Sequence, residues 1–178
     1  SVWIALFCLQ YEKTLADDAE KAKCLDLAAA ISRWVSSLPH KDGAVAMGLP
    51  NPFGSPDYGN TYSTENNLDY YTLTKALSVK APTLSDRELF TGEFSNLNNW
   101  LKTMAYDPNS GLFRSGGSVN FGDGQWVWDS TKSLDVNSWA ISTIGISTLI
   151  SEFGVNMDSF LTNIHQTFAV QDDGSFGG

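Results

Sequence analysis

Positive charge is scarce in this chain of 178 residues: 11 Lys and Arg stand against 20 Asp and Glu, for a formal net charge of -9. A field of that sign repels phosphate backbones and anionic lipid, so neither nucleic acid nor a membrane surface is an expected partner. Long apolar runs are missing as well. No stretch reaches the roughly 18 residues of a membrane-spanning helix, and the first residues lack the basic segment that opens a signal peptide. Cysteine is limited to Cys8 and Cys24, in neither a metal-type nor a redox-type spacing. With His40 and His165 isolated from each other, no metal and no cofactor is expected. Charged side chains make up only 17% of the chain, below the typical value of about 25%. Asn, Ser, Thr, Gly and Trp are plentiful instead, a surface that suits an extracellular or secreted protein.

A hydrophobic content of 42%, with 12% aromatics, supplies one substantial core, and the length fits a single domain of ~100–200 residues spanning 1–178. Three segments read alike: WVSSLPHKDGAVAMG (34–48), WLKTMAYDPNSGLFRSGG (100–117) and IHQTFAVQDDGSFGG (164–178). Each runs from an amphipathic helix into a polar turn and then a glycine, and the turn glycines are Gly43, Gly111 and Gly174. Apolar spacing predicts three helix pairs: 2–11 with 17–38, 65–78 with 86–105, and 134–153 with 156–168. Thr64, Ser85 and Ser133 are the predicted caps, each followed by acidic first-turn residues. The first helix of each pair is apolar around most of its circumference, as WIALFCL shows, which predicts a helix enclosed by neighbours. The second is one-sided, with Lys21, Lys23, Arg33, Asp86 and Lys102 outside.

The expected fold is therefore all-α, an α/α toroid of helical hairpin repeats (roughly 1–48, 63–117 and 133–178). Strand is expected only in loop segments such as 43–47 and 125–128. Three hairpins are about half of a six-hairpin barrel, so missing chain or a second copy is expected to complete it. Cys8 and Cys24 lie symmetrically about Ala16, in the first predicted turn, and either face each other as a disulfide or remain free thiols.

At STENNLDYY (63–71) and LDVNSWAISTIG (134–145) the chain resembles the carbohydrate-active, glycoside hydrolase-like six-hairpin α/α-barrel proteins, with the hairpin rhythm extending over all 178 residues. QDDGSFGG at the end is also similar to the turn repeat of terpenoid cyclases and prenyltransferase β-subunits, a likeness of geometry that carries no catalytic residues. The zinc-ligand set of lanthionine synthetases and prenyltransferases and the DxDD motif of protonating cyclases are absent.

The resemblance places a site where the long loops 39–63 and 106–133 meet the starts of the first-of-pair helices. Those loops carry Phe53, Tyr58, Tyr62, Phe113, Phe121, Trp126 and Trp128. Glu65 and Asp69 are one helical turn apart and share a face; Asp135 begins the next such helix. Carboxylates separated by roughly 5–10 Å suit glycosidic cleavage, one as acid and one as base or nucleophile. Glu65, Asp69 and Asp135 are thus the candidate catalytic residues, with Asp123 and Asp129 as further acids. First-turn acids are also favoured by the helix dipole with no function at all. Tyr62, Tyr70, Trp126, Trp128 and Trp139 are candidate platforms for sugar rings, and Asn66, Asn67, Gln125 and Asn137 candidate partners for hydroxyls. Trp139 also suits the core, and Trp126 and Trp128 are expected to split, one buried and one exposed. Asp107, Asn109 and Gly111 open like a calcium loop without its later Glu, which suits a plain turn. The leading expectation is a glycoside hydrolase-like domain acting on a poly- or oligosaccharide. Its alternatives are a non-catalytic carbohydrate-binding module and a structural module that self-associates through apolar edges at 2–7 and the C-terminus.

Overall fold

Helices form where apolar periodicity and capping coincide. The computed structural model describes residues 1–51, 57–120 and 122–169. Among them are seven α-helices: α1 (Val2–Tyr11), α2 (Asp18–Ser36), α3 (Thr64–Lys80), α4 (Leu84–Trp100), α5 (Leu134–Ile144), α6 (Ile146–Ser151) and α7 (Met157–Phe168). Asp17 caps α2 by accepting from the Ala19 N–H at 2.7 Å. The caps of α3 and α4 are Ser63 and Thr83 rather than Thr64 and Ser85. Their hydroxyls reach the N–H groups of Asn66 (3.3 Å) and Asp86 (3.1 Å), three residues on. A π-helical turn, Leu101–Ala105, extends α4. The predicted helix 134–153 breaks in two because Gly145 sits at φ 88°, a backbone conformation that a right-handed helix cannot contain.

The architecture is mixed, which corrects the all-α expectation: 63% of the described residues are helical and 11% lie in three small antiparallel sheets. β1 (His40–Lys41) pairs with β2 (Ala44–Val45), and β4 (Tyr106–Asp107) with β5 (Leu112–Phe113). The third sheet runs in the order β3 (Thr61–Ser63), β6 (Gly116–Val119), β7 (Trp126–Trp128). Segments 43–47 and 125–128 do contain strands, but their partners were not anticipated. The reason is backbone accounting: two long loops must satisfy their N–H and C=O groups, and pairing Tyr62 with Gly117 and Gly117 with Trp128 does so across the chain. Gly43, at φ 102°, lets the first hairpin press onto α4, since a Cβ there would lie 2.5 Å from the Asn96 carbonyl oxygen.

α1 packs against α2 and α3, and α3 also against α4 and α5. α3 is the most enclosed of the described helices, with Leu68, Tyr70, Leu73 and Leu77 in the core beside Phe90, Leu97 and Trp100 of α4. α1 departs from the expectation of an enclosed helix. Its neighbours cover Ala5, Cys8 and Leu9, while Trp3, Ile4, Phe7 and Tyr11 remain 48–65% exposed. Both cysteines are free thiols, Cys8 buried and Cys24 half-buried; burial and then the neighbouring Cys24 push the Cys8 thiol up. None of the described helices is long and apolar enough to cross a membrane. Phe53, Phe121, Gly174 and the QDDGSFGG repeat lie outside the described residues.

Candidate functional site

The two quoted helix starts share a local device, which the spacing S-x-(E/D)-x-N makes: Ser63, Glu65, Asn67 and Ser133, Asp135, Asn137. Asn67 Oδ1 accepts from the Val45 N–H at 2.8 Å, while its Nδ2 donates to the carbonyls of Val45 (3.0 Å) and Ser63 (2.8 Å). Asn137 repeats the pattern on Phe113 N–H (2.8 Å), Phe113 O (3.4 Å) and Ser133 O (2.8 Å). Each buried amide thus clips the second strand of a two-stranded hairpin to the following helix. Both donors of each Asn are spent on backbone, so these two side chains build the site rather than face a solute.

Two residues further along, the equivalent positions of three helices meet. Trp3 of α1 stacks on Trp139 of α5 with centroids 5.7 Å apart and planes at 22°. The Trp139 indole N–H donates to Asp69 Oδ1 of α3 at 2.7 Å, the one hydrogen bond this carboxylate receives among the described residues. Asp69 is only 1% exposed. Burial pushes its carboxyl above the usual range; the Trp139 bond opposes that and the Glu65 charge adds to it. Trp3 and Asp69 border two cavities. One, of about 220 Å³, opens toward Asn66, Met47 and Trp34. The other, of about 400 Å³, lies between α1, α3 and α5 and is lined also by Phe7, Thr72, Ser142 and Thr143.

The loop aromatics form a separate group. Trp126 and Trp128 stack on each other at 4.7 Å and 3°, and Val127 between them is the exposed residue. This corrects the expected split, because residues two apart on a strand share a face. The Arg114 guanidinium lies 4.8 Å from the Trp128 centroid, and Trp126 meets Tyr62 edge-on at 5.0 Å and Trp100 at 6.0 Å. Its indole N–H donates to Asp42 Oδ2 at 2.8 Å, tying the first hairpin to β7. Tyr62 is buried. Packed on both sides in this way, the two Trp rings and Tyr62 brace the loops.

The remaining candidates are dispersed. Glu65 is half-buried in the first turn of α3 and reaches Asp69 electrostatically; Asn66 is exposed at the first cavity. Asp135 is exposed and lines neither cavity; Ser133 and the Val136 N–H (2.8 Å) hold its carboxyl below the usual range. Asp123 accepts from the Gln125 N–H at 3.0 Å in an exposed turn, and Asp129 borders a small crevice of about 100 Å³. Asp107 organises a turn through Asn109, Ser110 and Arg114. His40 is engaged, with Nδ1 on the Leu38 carbonyl at 2.7 Å and Nε2 on Glu93 at 3.2 Å. Among the described residues no three His, Cys, Asp or Glu side chains gather as metal ligands. Trp3 was the residue missed at the site. Matching the apolar phase of the first helices of each pair places Trp3 on Trp139, and that was the available signal.

Neither protein-family models, nor curated proteins, nor solved structures match this chain.

Proposed function

We propose that this domain binds a poly- or oligosaccharide in the cleft between α1, α3 and α5 and hydrolyses it in the manner of a glycoside hydrolase. One observation carries the reading: Asp69 is a buried carboxyl with a raised pKa, held by an indole N–H between two cavities and beside a stacked Trp pair. A carboxyl whose pKa burial raises suits the acid that protonates a glycosidic oxygen. Glu65, one turn earlier on the same face, is the partner that activates water or attacks. Residues four apart on a helix have Cβ atoms about 5–6 Å apart, which is compatible with the carboxyl separations of both retaining and inverting enzymes. Asp135, exposed and without the electrostatic reach to Asp69 that Glu65 has, stands outside the pair. Trp3 and Trp139 supply apolar faces for a sugar ring.

A second reading, non-catalytic carbohydrate binding, is favoured by the near-complete burial of Asp69 and its bond to Trp139. The two separate on Asp69→Asn and Glu65→Gln. A hydrolase loses release of reducing ends by about 10²-fold or more in each variant, whereas a binder retains its glycan affinity in both and releases nothing in any form.

A further inference from the structure

Among the described residues, six of the eleven basic side chains are held by carboxylates: Lys21, Lys23, Arg33, Lys41, Lys80 and Arg114. Of the other five, Lys13 and Lys75 open onto one cavity. It has a volume of about 300 Å³, lies between α1 and α3, and has Lys80 as its third cation. Lys80 is bonded to Glu12 at 2.7 Å, and a lysine in the last turn of α3 is what the helix dipole favours. Lys75 lies ahead of that turn. Its Nζ rests 5.8 Å from the Tyr71 ring and 6.0 Å from the Phe94 ring. Lys13 donates only to the neutral Gln10 amide, at 3.2 Å. Two ammonium groups therefore border an apolar-walled cavity without an anionic partner among the described residues.

This cavity shares Leu6, Gln10 and Thr72 with the 400 Å³ cavity at Asp69, so the two form one groove along α1 and α3. From Asp69 to Lys75 is about 9 Å of helix axis. The ends differ chemically. At the Asp69 end, Thr72, Ser142 and Thr143 each donate their hydroxyl proton to the carbonyl four residues back, at 3.2, 3.3 and 2.8 Å. What they offer a ligand is lone pairs, which suit the hydroxyl donors of a sugar. The far end offers ammonium donors.

Building on the carbohydrate reading above, we propose that the groove takes an acidic saccharide. A sugar ring lies at Trp3 and Trp139, and an anionic substituent, carboxylate or sulfate, sits between Lys13 and Lys75. The net charge of -9 does not oppose this at short range, because at physiological salt the screening length is about 8 Å and the cavity's own cations act within it.

Affinity electrophoresis of the full chain in gels containing matched polysaccharides tests the proposal: pectate against its methyl ester, and dextran sulfate against dextran, with polyglutamate as a polyanion without sugar. At least one acidic member is expected to retard the protein fivefold more strongly than its neutral counterpart. That difference should vanish in Lys13→Gln/Lys75→Gln and persist in Lys13→Arg/Lys75→Arg, whose unchanged melting temperatures exclude misfolding. Equal retardation by both members of every pair overturns the anion subsite and leaves the carbohydrate reading standing. Equal retardation by polyglutamate, or no retardation by any polymer, overturns the proposal; turnover or binding of neutral oligosaccharides then decides separately whether the carbohydrate reading survives.

Discussion

A buried acid distinguishes itself from a structural one by what its removal does to stability. Asp69 has a raised folded pKa, so it contributes most to stability below its unfolded value, and that contribution is lost as pH rises through the folded value. Asp69→Asn keeps an oxygen for the Trp139 N–H and never ionises. Its melting temperature is expected to exceed the parent's at neutral pH, with the gap closing by about pH 3, where aspartate is protonated in both states. A gain in stability coupled to a loss of glycan turnover is the signature of a residue kept for function; a melting temperature lowered at neutral pH would mark Asp69 as structural. His40 works the other way round in charge but with the same sign. Its Glu93 bond raises the folded pKa, so its contribution is complete below the ordinary histidine value of about 6.5 and lost as pH rises through the raised one. Urea midpoints of the parent should therefore decline over that range, and Glu93→Gln should flatten the decline; an unchanged slope would refute the pairing.

At the scale of elements, the Asn clips and turn glycines decide how loops seat on helices. Asn67→Ala leaves the buried Val45 N–H without its acceptor, and Asn137→Ala does the same to Phe113. Each is expected to cost roughly 2–3 kcal/mol in chemical denaturation, the penalty of an unsatisfied buried group together with the lost bonds. A cost below about 0.5 kcal/mol, the scale of surface substitutions, would contradict the clip. Part of this was legible in the sequence: the first two helix pairs and the turns at Gly43 and Gly111 follow from apolar period and glycine position. What stayed hidden is non-local. The pairing of Tyr62 with Gly117 joins strands more than fifty residues apart, and no local pattern announces a partner that distant. The helix break at Gly145 was masked because SWAISTIGISTLI keeps its apolar character straight through the glycine. For the site, chemistry was readable in Asp69 and Trp139 separately, whereas their contact depended on how three helices converge.

For the whole molecule, the exposed face of α1 raises the question of what it meets. Trp3, Ile4, Phe7 and Tyr11, each about half exposed, present about 400 Å² if a full large aromatic amounts to ~150–250 Å². A stable pairwise interface takes about 800 Å² from each partner, so this stripe alone does not hold two copies together. It is the size of a functional patch on a monomer. Sedimentation at micromolar concentration is expected to give a monomer's mass, and a tight dimer abolished by Phe7→Ser would instead assign the stripe to self-association.

The most direct measurement is turnover and binding against a panel of neutral and acidic glycans, made in parallel on the parent chain, Asp69→Asn and Glu65→Gln. Release of reducing ends by the parent, lost in both variants while both remain folded, is the expected result. A parent that neither binds nor cleaves any glycan, or variants that cleave as fast as the parent, would contradict a carbohydrate site at Asp69.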